Sequence, residues 1–258
     1  MKPLWTGAIG FGLVNIPVKL FSATESSNLD LDMLDKKDHS HIRFMRVNEK
    51  TGKEVTWENI VKGFMINDKY VLLDDKDFEK ANAVKTKLIE INDFVNAEEI
   101  NSAYYETPYY LQPDKSGSRP YALLREALIK TKKVGIASFV MRNRENLAIL
   151  RAQDDVIILN RIRFAEEIRP TAELELPKKS TVKAAELKMA ITLINQLSGT
   201  FNIGKYKDTY SAQLMKFIKA KAKGEAVPAP HMKVVHSKTQ DLMEQLKASL
   251  DSKKKKVS

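Results

Sequence analysis

Few side chains in this sequence have the type and spacing that catalysis would require. His39 and His41 form an H-x-H pair, which can hold a metal ion from one face of a strand. A zinc site needs at least one more ligand, and the chain contains no cysteine to supply it. We therefore interpret the pair as part of a solvated loop that leads into a strand.

The carboxylates give an equally weak catalytic signal. Asp154 and Asp155 lie between two predicted strands, where aspartate favours a turn. No nucleophile elbow, Walker A loop, zinc-protease helix or EF-hand loop occurs, and the absence of cysteine excludes a thiol nucleophile. The sequence thus predicts a protein that is not an enzyme, with no catalytic residue, no metal and no cofactor.

The glycines near the start do not form a nucleotide cradle. Ile9, Phe11 and Leu13 alternate with Gly10 and Gly12, which is the period of a strand. A dinucleotide fingerprint would need a third glycine and a helix where Asn15 and Pro17 stand. We predict strands over 7–14 and 17–22, with the glycines marking a bulge, a bend or the close approach of another backbone.

A cluster of cations is the strongest chemical signal. Six of the ten arginines lie between 142 and 169, several of them beside predicted strands, and Arg151 ends one of these. Guanidinium groups match phosphate bidentately, and such contacts give affinity without reading base sequence. The candidates for nucleic-acid contact are Lys132, Lys133, Arg142, Arg144, Arg161 and Arg163. A solvated polar face on a half-buried sheet is the alternative interpretation.

Strand periodicity refines part of this prediction. Arg161 and Arg163 alternate with Ile162 and Phe164, so both guanidinium groups are expected on one face and the apolar pair in the core. Few aromatic residues interleave with the cations, which disfavours recognition of single strands by stacking.

The net charge of +10 is concentrated at the end of the chain. Residues 205–258 contain 13 lysines and 5 acids, whereas the first 204 residues are nearly balanced. The run from Lys253 to Lys256 fits a solubilising end or a DNA-gripping one, and a contact with an acidic membrane is a third interpretation.

Patterning predicts a mostly β body followed by a helical arm. Short runs rich in valine, isoleucine, phenylalanine and leucine predict further strands at 41–47, 86–91, 134–141, 146–152 and 156–164, and a hairpin tip at 47–55 with Gly52. Helices are predicted at 54–63, at 74–83, from Ser118 onwards, at 180–197, at 206–223 and at 240–250, with a linker at 224–230.

Neither a signal peptide nor a membrane span is predicted, and the lack of cysteine is compatible with a reducing compartment. We therefore expect a soluble cytoplasmic protein.

The opening Trp5–Leu20 resembles the start of bacterial Ku, W-x-G-x-I-x-F-G-L-V-x-I-P-V-x-L. Further blocks follow in the family's order over roughly residues 3–224. They are 62–64, 70–73, 91–95, 99–101, 109–113, 121–128, 134–151, 193–194, 206–210 and 221–224. Each block is weak alone, but the ordered set is highly specific.

The resemblance implies a fold that is mainly β with α: a Ku-type β-barrel core over 1–179, a helical arm for dimerisation over 180–224, and a linker, short helix and lysine-rich tail over 225–258. It implies a homodimeric ring that threads double-stranded DNA ends without sequence specificity. The ring would recruit and stimulate an ATP-dependent DNA ligase, ligase D, in non-homologous end joining in the bacterial cytoplasm, associated with the nucleoid.

Two alternatives belong to other classes. A non-specific basic architectural protein would be indifferent to DNA ends. A metal-dependent DNA enzyme such as a nuclease would need a carboxylate cluster, for which the sequence offers only Asp154 and Asp155.

Overall fold

Seven strands close into a barrel that forms most of the first part of the chain. The structure, a computed structural model, describes residues 1–81, 87–142, 144–177 and 182–225. The barrel strands are β1 (Trp5–Phe11), β2 (Val14–Ser22), β5 (Leu88–Asn96), β6 (Tyr105–Pro113), β7 (Lys133–Met141), β8 (Arg144–Gln153) and β9 (Val156–Ile162). Their order around the barrel is β1-β2-β6-β9-β8-β7-β5. All neighbours are antiparallel except β1 and β5.

The remaining elements are a small hairpin and the helices. The hairpin pairs β3 (Lys62–Ile66) with β4 (Lys69–Leu73), and the helices are α1 (Asp75–Ala81), α2 (Ser118–Thr131), α3 (Ala184–Leu197) and α4 (Thr209–Ala222). A barrel accompanied by helices confirms the predicted mainly β architecture. Within the described residues, no helix is both long and apolar enough to span a membrane.

The chain divides into two compact units. One comprises Met1–Ser26 and Asp30–Pro170 and contains the barrel, the β3–β4 hairpin, α1 and α2. The other comprises Ser27–Leu29 and Thr171–Ser258, and its described part contains α3 and α4.

The glycine-bearing opening is the first hairpin of the barrel. Gly12 turns the chain between β1 and β2 with a φ of 59°, a backbone conformation that favours glycine. A Cβ on Gly7 would overlap the carbonyl oxygen of Lys87, so the glycine allows close approach of that backbone. Pro17 lies inside β2, and its carbonyl accepts a hydrogen bond from the Asp114 amide at 3.0 Å.

The core joins the inside of the barrel to one helix. Alternate residues of β2, Ile16, Val18 and Leu20, are fully buried, as the period of a strand requires. Helix α2 adds Leu124 and Leu128 to the same cluster.

Tyr121 ties α2 to two strands by its hydroxyl group. The hydroxyl donates to the Leu111 carbonyl of β6 and accepts from the Ile157 amide of β9, each at 2.7 Å. Burial raises the pKa of Tyr121 above its ordinary value. The phenol is therefore neutral at pH 7, as its donation to the Leu111 carbonyl requires.

We expect Tyr121→Phe to lower the free energy of unfolding by about 1–3 kcal/mol, because it leaves a buried amide and a buried carbonyl without this partner. Chemical denaturation at pH 7 measures the loss. The raised pKa of Tyr121 adds a second readout. The stabilisation that it gives the folded state is complete below the unfolded pKa of 10.0 and declines as the pH rises above that value. Wild type should therefore lose more stability on that rise than the variant, and equal losses would contradict this assignment.

Two predictions between residues 41 and 63 were wrong. The region 41–47 forms only isolated bridges, Leu34 with His41 and Val47 with Glu54, and no strand. In place of the helix over 54–63 there is a single 3-10 turn at Trp57–Asn59, followed by β3. The hairpin tip at 47–55 is confirmed, with Gly52 at a φ of 64°.

Other predictions differ from the structure mainly in their ends. Strand β6 was not predicted, because its polar and aromatic sequence YETPYYLQP lacks aliphatic alternation. Helix α3 begins at Ala184, after Lys183 in an extended conformation. Helix α4 begins at Thr209, because the Asp208 side chain caps it by accepting a hydrogen bond from the Ser211 amide at 3.0 Å. The predicted helix at 240–250 and the lysine run lie outside the described residues.

Candidate nucleic-acid interface

The six candidate cations lie at opposite ends of the barrel. Lys132 and Lys133 precede and begin β7, whereas Arg142 follows the end of that strand and Arg144 begins β8. At about 3.3 Å per residue, the nine residues of β7 separate the two groups by roughly 26 Å. The fold therefore presents two cationic sites, which we call the lysine end and the arginine end.

Two arginines at the arginine end share one carboxylate. Arg161 contacts Glu106 Oε2 through both Nε and Nη2 at 2.5 Å, and Arg163 Nη2 lies 2.8 Å from Glu106 Oε1. The Glu106 side chain is 19% exposed, which makes it the most enclosed member of the trio. Its charge is thus committed to holding two guanidinium groups in place.

The strand faces are arranged differently from the expectation. Arg161 pairs across the sheet with Ala148, which belongs to the main core cluster, so the arginine face is the core face. Ile162 is buried in a second, smaller cluster with Val134 and Ile149. Arg161 thus sits where the core gives way to the mouth of the barrel, and Glu106 compensates its charge there.

The remaining arginines of this end are more open. Arg144 Nη2 lies 3.6 Å from Glu167 Oε1, and the Arg144 side chain is 74% exposed. Arg142 is exposed at the turn, with a left-handed φ of 53°. Arg142 and Arg144 are therefore the two arginines here whose side chains are most free to meet a phosphate.

The lysine end contains a cavity of about 490 Å³ with three cations in its lining. Lys132 caps the C-terminus of α2 in a left-handed conformation, Lys133 begins β7, and Arg151 lies near the end of β8. The Lys133 ammonium donates to Asn96 Oδ1 at 3.4 Å. Asp154 is the acidic residue in the lining, so cations outnumber carboxylates here by three to one.

Two residues that shape these sites were missed or left out of the candidate set. Glu106 stands in a strand that was not predicted, and its partners are more than fifty residues away in sequence, so local patterning could not find it. Arg151 had a usable signal: it ends a predicted strand that forms a hairpin with the strand following the lysines. Cross-strand pairing of β7 with β8 brings it to the lysine end.

The weaker chemical signals have structural explanations. His39 and His41 are exposed, and His39 turns the chain with a φ of 59°. Asp154 and Asp155 form the turn between β8 and β9, with Asp154 at a φ of 50°. Across the described ranges, no group of three or more histidine, aspartate or glutamate side chains is placed to hold a metal ion.

The second unit carries an apolar face. On α3, Leu187, Ile191 and Ile194 are spaced on one side of the helix and are 50%, 48% and 62% exposed. The helix contains no buried residue. An apolar stripe of this kind is typical of a helix that packs against a partner.

Comparison with known proteins identifies relatives of the whole chain. The family model described as the Ku70/Ku80 beta-barrel domain matches residues 10–189. The non-homologous end joining protein Ku of Coxiella burnetii is 39% identical, with 98% of this chain and 96% of that protein covered. The protein of the same name from Archaeoglobus fulgidus is also 39% identical, covering 98% of this chain and all of the relative.

A third relative is longer. The non-homologous end joining protein Ku of Cupriavidus necator is 44% identical over 84% of this chain, which spans 66% of the relative's length. Among solved structures, the SPOC domain of human PHD-finger protein 3 is 11% identical and covers 62% of this chain, with a TM-score of 0.31. That likeness is too low to support any conclusion.

Proposed function

The chain belongs to the Ku family, and from that premise we propose that it binds the ends of double-stranded DNA in non-homologous end joining. The observation that carries the proposal is identity of 39% along nearly the full length of two curated end-joining Ku proteins. Cationic sites on a barrel support it, because phosphate contacts hold DNA of any sequence.

We further propose that two copies form a ring that a DNA end enters. The exposed apolar stripe on α3 supports a second copy as the partner, since burying these side chains would remove apolar area from water. A closed ring selects ends by topology, because only a free end can pass through it. This mode of selection needs no contact with base edges.

We also propose a role for each part of the chain and a protein partner. Residues 1–179 would form the DNA-binding core, 180–224 the dimerisation arm and 225–258 a basic tail. ATP-dependent DNA ligase D would be the protein partner, and the cytoplasm, close to the nucleoid, the place of action. No reaction of the protein's own is part of the proposal; its role is to bind and recruit.

Competition between two forms of one plasmid tests end binding. A labelled short duplex bound by the protein is challenged with equal masses of linearised or covalently closed plasmid in 150 mM KCl. If the linear competitor is cut into shorter pieces at constant mass, it should displace more of the labelled duplex, in proportion to the number of ends. Equal competition by closed and linear DNA would contradict the proposal and favour a basic architectural protein.

The double substitution Arg142→Glu and Arg144→Glu should weaken binding to every duplex sequence alike. If each arginine neutralises one phosphate, the slope of log K against log salt becomes shallower by about 0.9 for each phosphate that is no longer neutralised. Titrations at several KCl concentrations with two unrelated duplexes measure this. An unchanged slope would remove the two residues from the interface.

Lys50→Glu with Lys53→Glu is the matched control for that experiment. Both lysines are exposed beside the turn at Gly52 and belong to the same unit as the barrel. The control makes the same change in net charge, so it separates a local contact from the general attraction of a basic protein for DNA.

A further inference from the structure

We infer that Lys132, Lys133 and Arg151 form a pocket for a backbone phosphate of DNA, with Arg151 as a contact residue beyond the six candidates. The inference rests on the proposed function and names the part of the barrel that meets the duplex. It depends on the geometry of the lysine end and on its contrast with the arginine end.

Three separate elements bring the cations to one cavity. Lys132 comes from the cap of α2, Lys133 from the start of β7 and Arg151 from β8, and all three line a space of about 490 Å³. Gly135 pairs with Leu150 in the β7–β8 ladder, so the registers of the two strands bring Arg151 level with the start of β7. The position of Arg151 is therefore fixed by the sheet and not by a flexible loop.

The charge balance distinguishes this cavity from the other end of the barrel. There, Glu106 engages Arg161 and Arg163, and Glu167 faces Arg144, so two carboxylates offset about half of the charge of the four arginines. Here, the described lining holds three cations and one carboxylate, that of Asp154. An anion entering the cavity would replace water around charges that have little compensation from the protein itself.

A phosphodiester is the ligand that fits these groups. Arg151 can donate two parallel N–H bonds to one phosphate, while each lysine supplies a point charge. The apolar part of the lining, with Leu128, Ile129 and Val134, gives the pocket a wall and no base-reading group. This composition suits contact with any DNA sequence.

Two single substitutions with opposite expected effects on DNA affinity test the inference in the whole 258-residue chain. The probe is a fluorescent 30-base-pair blunt duplex, titrated between 50 and 200 mM KCl. Arg151→Gln should weaken binding and make the salt slope shallower by about 0.9, which reduces the loss of affinity across that range by about 3.5-fold. Asp154→Asn should strengthen binding, since it removes the pocket's carboxylate while asparagine tolerates the same left-handed backbone.

Arg119→Gln is the matched control, because Arg119 is an exposed arginine near the start of α2. This substitution should change neither the DNA affinity nor the salt slope. If wild type binds the duplex while Arg151→Gln keeps its affinity and slope, the pocket is not a phosphate site. Should Arg151→Gln fail to fold, an unchanged affinity of Asp154→Asn would overturn the inference on its own. Failure of the proposed function is distinguishable, because wild type would then show no preference for linear over closed DNA.

Discussion

Ile191→Asp combined with Ile194→Asp is expected to give a folded monomer that no longer retains DNA ends. Both side chains lie on the exposed apolar stripe of α3, and a carboxylate buried in a partner interface without a counter-charge costs several kcal/mol. Sedimentation equilibrium measures the state of assembly, and binding to a linear duplex measures the consequence. We expect affinity to fall by about 100-fold or more, because a ring cannot form from one copy.

The control for this pair is Gln196→Asp, which adds charge to an exposed polar position on the other side of the same helix. It should leave both the dimer and the DNA affinity as in wild type. Unchanged dimerisation of the double aspartate variant would show that the stripe on α3 is not the contact. Monomers that still bind ends tightly would contradict the ring itself.

Glu106→Gln should lower the free energy of unfolding by about 2 kcal/mol, because two guanidinium groups lose the one carboxylate that they share. This loss of stability should be smaller than for a fully buried ion pair. Arg161 and Arg163 remain 34% and 38% exposed, so water can replace part of the interaction. Urea denaturation followed by circular dichroism measures the change.

Glu167→Gln is the comparison for Glu106. Its partner Arg144 is 74% exposed at a distance of 3.6 Å, so the expected cost is about 0.5 kcal/mol or less. Similar costs for the two variants would mean that Glu106 does not organise the arginine end. The contrast tests whether these arginines are held mainly by the protein or are free for a ligand.

Sequence patterning succeeded where local physics decides the structure. The alternation of Ile9 and Phe11 with glycine predicted β1, and the proline near the start of α2 predicted that helix. Periodicity did not predict β3 or β4, because both carry exposed apolar residues on each side; only the resemblance to Ku implied a strand, at 70–73. Their turn, Asn67 and Asp68 at φ values of 49° and 60°, was the available signal for a tight hairpin.

The candidate site was predictable in composition but not in arrangement. The cations could be named from their types and from their positions beside strands. Which of them are compensated depends on Glu106, which reaches Arg161 across a sequence separation of 55 residues. The grouping of Arg151 with the lysines follows from the pairing of β7 with β8; the sequence indicated this hairpin but not its register.

Trapping on a duplex tests the central claim most directly. The protein is loaded at low salt on a linear duplex attached to a bead at one end, and a bulky streptavidin cap then closes the biotinylated free end. The mixture is washed with 1 M KCl, which removes electrostatic binding. A threaded ring should stay on capped DNA and leave uncapped DNA within the same wash. Equal loss from both would contradict threading and leave the protein a surface binder of DNA.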